Sequence, residues 1–138
     1  MPEILIVDDL AVFRDPVADT LRRRGFTVRT ANDGRQCLDA LVRHLPDLIL
    51  LDVSMPVMDG VSTLLSLRSE PRSADVPVIM LTDVAERDLI VKAGRLGISG
   101  YVLKSSFTLS GLLDRIETAL DGRGMDAELD ELGVIEAA

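Results

Sequence analysis

The sequence predicts an α/β fold: a doubly wound, five-stranded parallel sheet covered by helices on both faces. Three observations carry the prediction. Short, almost wholly apolar runs alternate with longer stretches of helical spacing from the first residues onward. The alternation repeats five times within 138 residues, the length of one compact domain. Aromatics are scarce (three Phe, one Tyr, no Trp) although 47% of residues are hydrophobic, so Leu, Val, Ile and Ala must build the core, a mix suited to a helix-covered parallel sheet.

The first strand is read at residues 4–7, apolar throughout as a strand buried on both faces must be. Phe13, Val17 and Leu21 then share one helical face, and Gly25 stands where that helix should stop. Residues 26–30 alternate apolar and polar, the pattern of an edge strand. Leu38, Leu41, Val42 and Leu45 line a second helix, and residues 48–51 form the third strand. Val61, Leu64 and Leu65 start the third helix, and residues 78–81 form the fourth strand. Leu89, Ile90, Ala93 and Leu96 line the fourth helix, closed by Gly97. Residues 98–103, with Gly100 inside, are the fifth strand; Leu109, Leu112, Leu113, Ile116 and Leu120 line the fifth helix.

After Leu120 the character changes. Asp121-Gly122-Arg123-Gly124 reads as a break and the remainder is acidic. This divides the chain into a globular domain at 1–121 and an acidic tail or linker at 122–138, where Leu129, Leu132 and Val134 or Ile135 could line a short amphipathic helix. Strict strand–helix alternation implies right-handed crossovers, and five units imply the flavodoxin-like strand order 2-1-3-4-5. Such sheets hold their ligands outside the carboxyl ends of the strands.

Several function classes are disfavoured by composition. A net charge of −8 argues against a nucleic-acid surface, which needs Lys and Arg to neutralise phosphates. A single cysteine, Cys37, excludes an internal disulfide and a Cys-based zinc cluster. No apolar run approaches the roughly 18 residues of a membrane span, and the N-terminus lacks a basic segment leading into an apolar one, so a cytoplasmic protein with no membrane partner is expected. No GxxxxGK[ST] loop supports nucleotide binding. His44 reads as a surface residue at a helix end, Cys37 as core, and Arg22-Arg23-Arg24 as a solvated helix terminus.

The predicted strand ends carry Asp8-Asp9, Asp52, Thr82 and Lys104. Each alone has an ordinary explanation, since Asp and Thr after a strand commonly cap the next helix. Together they are different: converging carboxylates repel unless a cation sits among them. Oxygen ligands without His or Cys point to a hard ion, Mg²⁺ or Mn²⁺. With the Lys104 ammonium and the Thr82 hydroxyl they suit a tetrahedral dianion on or against Asp52, the requirement of phosphoryl transfer.

The stretches Ile4-Leu5-Ile6-Val7-Asp8-Asp9, Leu51-Asp52-Val53-Ser54-Met55-Pro56-Val57-Met58-Asp59-Gly60, Val78-Ile79-Met80-Leu81-Thr82 and Gly100-Tyr101-Val102-Leu103-Lys104 resemble the signature segments of response-regulator receiver domains. The resemblance covers about residues 3–120. It implies that Asp52 is the phosphoacceptor and that Asp9 is a direct metal ligand, with Asp8 acting largely through water. It further implies the Ser54 backbone carbonyl as a third protein ligand, Thr82 and Lys104 as phosphoryl-contacting groups, and Tyr101 as an aromatic switch. Met55-Pro56 and Asp59-Gly60 are read as shaping the turn after the third strand, with Pro fixing φ and Gly permitting a positive φ.

There are departures. Ser105 follows Lys104 where the family usually has a cis-proline; a cis bond before a non-proline costs ~3–4 kcal/mol, so a trans Lys104–Ser105 bond is expected. Asp83 follows Thr82 where a small residue is usual; it could narrow the site, or form a capping box with Glu86. Ser54 and Val84 hold the positions that tune phosphoryl loss, and neither is a strong general base.

The resemblance implies a cytoplasmic two-component signalling switch, not an enzyme beyond its own phosphoryl transfer and dephosphorylation. Its implied partners are a sensor histidine kinase or phosphotransfer protein, and a downstream protein reading the helix 4–strand 5–helix 5 face, with a homodimer possible. One alternative is an atypical receiver acting as a phosphorylation-independent interaction module. The other, a Mg²⁺-dependent aspartyl phosphatase, lacks a second Asp two residues after Asp52, where Ser54 stands.

Overall fold

The computed structural model describes residues 1–83 and 87–122. Five strands alternate with five helices: β1 (Glu3–Val7), α1 (Ala11–Arg23), β2 (Thr27–Ala31), α2 (Gly34–Ala40), β3 (Leu48–Asp52), α3 (Gly60–Ser69), β4 (Val78–Thr82), α4 (Arg87–Leu96), β5 (Gly100–Leu103) and α5 (Leu109–Leu120). All pairings are parallel and the strand order is β2-β1-β3-β4-β5, the flavodoxin-like order that the alternation predicts.

Because side chains alternate along a strand, each buried strand feeds two cores. Leu5, Val7, Ile49, Leu51, Val78 and Met80 point to one face, where Cys37, Leu41, Leu64, Leu67 and Ala93 meet them. Ile4, Ile6, Leu48, Leu50, Ile79 and Leu81 point to the other, against Ala18, Leu21, Leu112, Ile116 and Ala119. The edge strand β2 contributes only Val28 and Ala31 as buried residues.

Side-chain caps fix three helix starts. Asp33, Asp59 and Thr108 accept hydrogen bonds from the backbone N–H groups of Gln36, Ser62 and Gly111, opening α2, α3 and α5. Gly25 and Gly97 adopt φ of 98° and 102° just past α1 and α4, as their positions predict.

Four details differ from the sequence expectation. α2 ends at Ala40, and Val42, expected on its buried face, is 75% exposed because the chain has already turned at Leu41. The buried face of α3 is Gly60, Thr63, Leu64 and Leu67, while Leu65 is exposed. β5 begins at Gly100, although Ile98 still packs against the first core. Gly60 does not have a positive φ; in that turn Val57 does, at 68°. Gly60 is required instead by close approach, since a Cβ there would lie 2.1 Å from the Asp52 carbonyl oxygen.

His44 is an exposed residue near the amino ends of the strands, where its Nε2 lies 3.0 Å from Glu3 Oε2. Cys37 is fully buried, and burial pushes its thiol up to about 12. The proposed tail from residue 123 onward, together with Val84 and Glu86, lies outside the described residues. No helix among the described residues is long and apolar enough to cross a membrane.

Candidate functional site

The strand order sets β1, β3, β4 and β5 side by side, so the residues at their carboxyl ends converge. Asp52 is the last residue of β3 and Thr82 the last of β4; Asp8 directly follows β1, and Lys104 directly follows β5. Asp8, Asp52 and Thr82 are buried, whereas Asp9 is exposed to solvent. One carboxylate oxygen from each of Asp8, Asp9 and Asp52 lies within 4.8 Å of the others.

Lys104 reaches into this cluster. Its Nζ lies 2.8 Å from Asp8 Oδ2 and 3.7 Å from Asp52 Oδ2, with its side chain only 5% exposed. The backbone holds it there: the Lys104 N–H donates to the Thr82 carbonyl at 2.8 Å, tying the ends of β4 and β5 together. Asp8 is similarly pinned, because its Oδ1 accepts the Leu10 N–H at 2.9 Å and its carbonyl accepts from Arg14 Nη1 at 3.0 Å. Asp52 Oδ1 takes a longer bond, 3.4 Å, from the Ser54 N–H.

Burial and the neighbouring Asp8 charge push the Asp52 carboxyl up to about 7, against the opposing pull of Lys104. Burial alone would lower the Lys104 ammonium, but the hydrogen bond to Asp8 and the charges of Asp52, Asp8 and Asp83 hold it above its ordinary value. Three carboxylates against one ammonium leave the cluster short of positive charge. The all-oxygen donor set, with one member open to water, fits a hard divalent cation.

Tyr101 sits half-buried on β5, its ring 5.9 Å from the Arg115 guanidinium on α5. Asp83 is exposed, and its carbonyl accepts from Ser105 Oγ at 3.4 Å, linking the loops after β4 and β5. The Lys104–Ser105 bond is trans, as expected without proline; no cis peptide bond occurs among the described residues. Two residues beside the site were not read from the sequence as part of it. Phe13 on α1 places its ring centroid 4.7 Å from Lys104 Nζ, and Phe107 meets Phe13 edge-on at 5.5 Å.

Similarity to known proteins extends over most of the chain. Residues 4–117 match the family model of the response regulator receiver domain. The chain is 39% identical over 116 residues to the chemotaxis protein CheY of Pseudomonas aeruginosa, covering 83% of this chain and 93% of that protein. It is 37% identical to the transcriptional regulatory protein PrrA of Mycobacterium tuberculosis over 91% of this chain, but spans only 53% of that protein. Among solved structures, Vibrio cholerae CheY4 superposes with a TM-score of 0.81 at 31% identity, covering 86% of this chain and 98% of that one.

Proposed function

The chain belongs to the response-regulator receiver family, and from that membership we propose that it is a phosphorylation-activated switch of a two-component system with Asp52 as its phosphoacceptor. The observation that carries the reading is the convergence of Asp8, Asp9, Asp52 and the Lys104 ammonium on one edge of the sheet. The donor is a phosphohistidine on a sensor histidine kinase or a phosphotransfer protein. An Asp52 carboxylate oxygen attacks phosphorus; the P–O bond forms as the P–N bond breaks, and the imidazole leaves.

Asp9 and Asp52, the Ser54 backbone carbonyl and, largely through water, Asp8 would hold Mg²⁺ or Mn²⁺. When bound, the ion supplies positive charge to the phosphoryl oxygens. Lys104 pairs with another of those oxygens, and the Thr82 hydroxyl donates to the product dianion. Attack requires the ionised carboxylate, so charge neutralisation that draws Asp52 below pH 7 favours the reaction.

The phosphorylated state is one of two conformations whose balance the new dianion shifts. Movement of Thr82 toward the phosphoryl group accompanies inward rotation of Tyr101, and the α4–β5–α5 surface that a downstream protein reads changes with it. Asp83, exposed beside the site, repels anionic small-molecule donors; Asp83→Ala should speed phosphorylation by acetyl phosphate, and an unchanged rate removes that role.

The test is intact-protein mass spectrometry after incubation with phosphoramidate or acetyl phosphate, with and without Mg²⁺, with Asp52→Ala in parallel. One phosphoryl adduct that needs Mg²⁺ and vanishes in the variant supports the switch. If a folded protein takes no phosphoryl group from these donors, from a histidine kinase, or after Asp83→Ala, the reading fails in favour of a phosphorylation-independent interaction module.

A further inference from the structure

We propose that Phe13 is a positioning residue for Lys104: the face of its ring holds the ammonium at the phosphoryl site, and Phe107 braces the ring from its edge. The inference rests on the reading of Asp52 as phosphoacceptor, and concerns how this chain keeps the Lys104 ammonium in place.

The Lys104 backbone is tied to the Thr82 carbonyl at 2.8 Å, but the turn that follows it is held more loosely. The Lys104-Ser105-Ser106 segment contains no proline and is held by a 3.2 Å bond from the Ser106 N–H to the Leu103 carbonyl and the 3.4 Å contact of Ser105 Oγ with Asp83. A lysine side chain has four rotatable carbons and loses much entropy when fixed. Two carboxylates attract its ammonium, at 2.8 and 3.7 Å, but both lie on the metal side of the cluster. Phe13 adds a further contact, its ring centroid 4.7 Å from Nζ, well within the range of a cation–π interaction.

The ring itself is firmly placed. Phe13 lies in the first turn of α1, where its N–H donates to the Leu10 carbonyl at 3.0 Å. Leu10 in turn donates to Asp8 Oδ1, and Arg14, the next residue, donates to the Asp8 carbonyl. Phe13 and the Asp8 partner of Lys104 therefore sit on the same short piece of backbone. On the other side, Phe107 meets Phe13 with ring centroids 5.5 Å apart and planes at 69°, and Thr108, its neighbour, caps α5. Both rings pack on the second core, so their placement is inherited from α1 and α5. Of the chain's four aromatic residues, Tyr101 on β5 and Phe107 just before α5 lie on either side of this loop, and Phe13 on α1 packs against Phe107.

A Phe that only filled space would be replaceable by any apolar group of similar size. A Phe that holds a cation depends on the negative face of its ring, which fluorination weakens with little change of shape. The experiment therefore measures phosphoramidate-driven phosphorylation, with Mg²⁺, of the wild-type chain, of Phe13→Leu, and of chains carrying mono-, di- and trifluorophenylalanine at position 13. Phe13→Leu should react ~5-fold more slowly, the order expected for a partly desolvated cation–π contact, and the fluorinated series should slow progressively. In parallel, NMR should find the Lys104 ε-protons shifted upfield by the ring current in the wild type and returned toward ordinary values in Phe13→Leu. Thermal melts establish that each variant is folded.

An active wild type with a flat fluorine series, or Lys104 ε-protons at ordinary shifts, overturns the role of Phe13 alone. A folded protein that takes no phosphoryl group from phosphoramidate, from a histidine kinase, or after Asp83→Ala overturns the reading of Asp52 on which it rests.

Discussion

Asp52 is a carboxylate that the fold makes reluctant to ionise. Its folded pKa of about 7 lies above the ordinary 3.8, through burial and then the charge of Asp8. A raised folded pKa means that the folded state binds the proton more tightly than the unfolded state. The resulting stability is complete below about pH 4 and is lost as the pH rises through about 7. In metal-free buffer Asp52→Asn, which cannot ionise, should therefore gain on the wild type by about 1–3 kcal/mol between pH 5 and pH 8. Urea denaturation at the two pH values measures it, and a difference independent of pH would contradict the raised pKa. The acidic and basic site residues were legible because Asp8, Asp52 and Lys104 each directly follow an apolar run, with Asp9 next to Asp8. Phe13 and Phe107 were not. A Phe at helical spacing reads as core, and the cation that Phe13 faces is distant along the chain.

Gly60 shows how an element depends on one missing carbon. Its N–H donates to the Val53 carbonyl at 2.8 Å, which draws the start of α3 against the backbone that leaves β3. A methyl group at this position would meet backbone, the Asp52 carbonyl oxygen at 2.1 Å and Val53 Cα at 2.8 Å, neither of which can rotate away. Gly60→Ala should cost about 2–4 kcal/mol in urea denaturation, as overpacking against an unyielding neighbour does; a loss below about 1 kcal/mol would mean that α3 slides freely. The sequence marked Gly60 as special for the wrong reason, because a glycine's need for space leaves no local pattern. α2 was overextended for a related cause. Apolar spacing continues through Leu41, Val42 and Leu45, but it cannot reveal that the chain turns at Leu41 ahead of Pro46.

Strand order was the most legible property of the molecule, since parallel strands joined by right-handed crossovers leave few topologies. Its consequence is that residues from four separate strand ends share one acidic edge on a chain of net charge −8. A divalent cation bound there would stabilise only the folded state, by about 1.4 kcal/mol at ten times its dissociation constant. Millimolar Mg²⁺ should raise the unfolding midpoint beyond what NaCl of equal ionic strength achieves, because screening alone relieves a net negative charge. Asp9→Asn should abolish the difference with little effect on metal-free stability, since Asp9 is exposed. Equal effects of the two salts in the wild type would argue against a bound ion.

Cys37 gives this protein a clock of its own. The thiolate is the reactive form of cysteine, and here the sulfur is enclosed beneath α2 with its thiol pushed up to about 12. A disulfide reagent therefore meets it only in molecules whose α2 has lifted from the sheet. Since no other cysteine competes, the labelling rate of the unaltered chain counts those openings directly. Timed with and without a phosphoryl group on Asp52, it reads whether an event at the strand ends is felt in the breathing of α2, with no introduced probe.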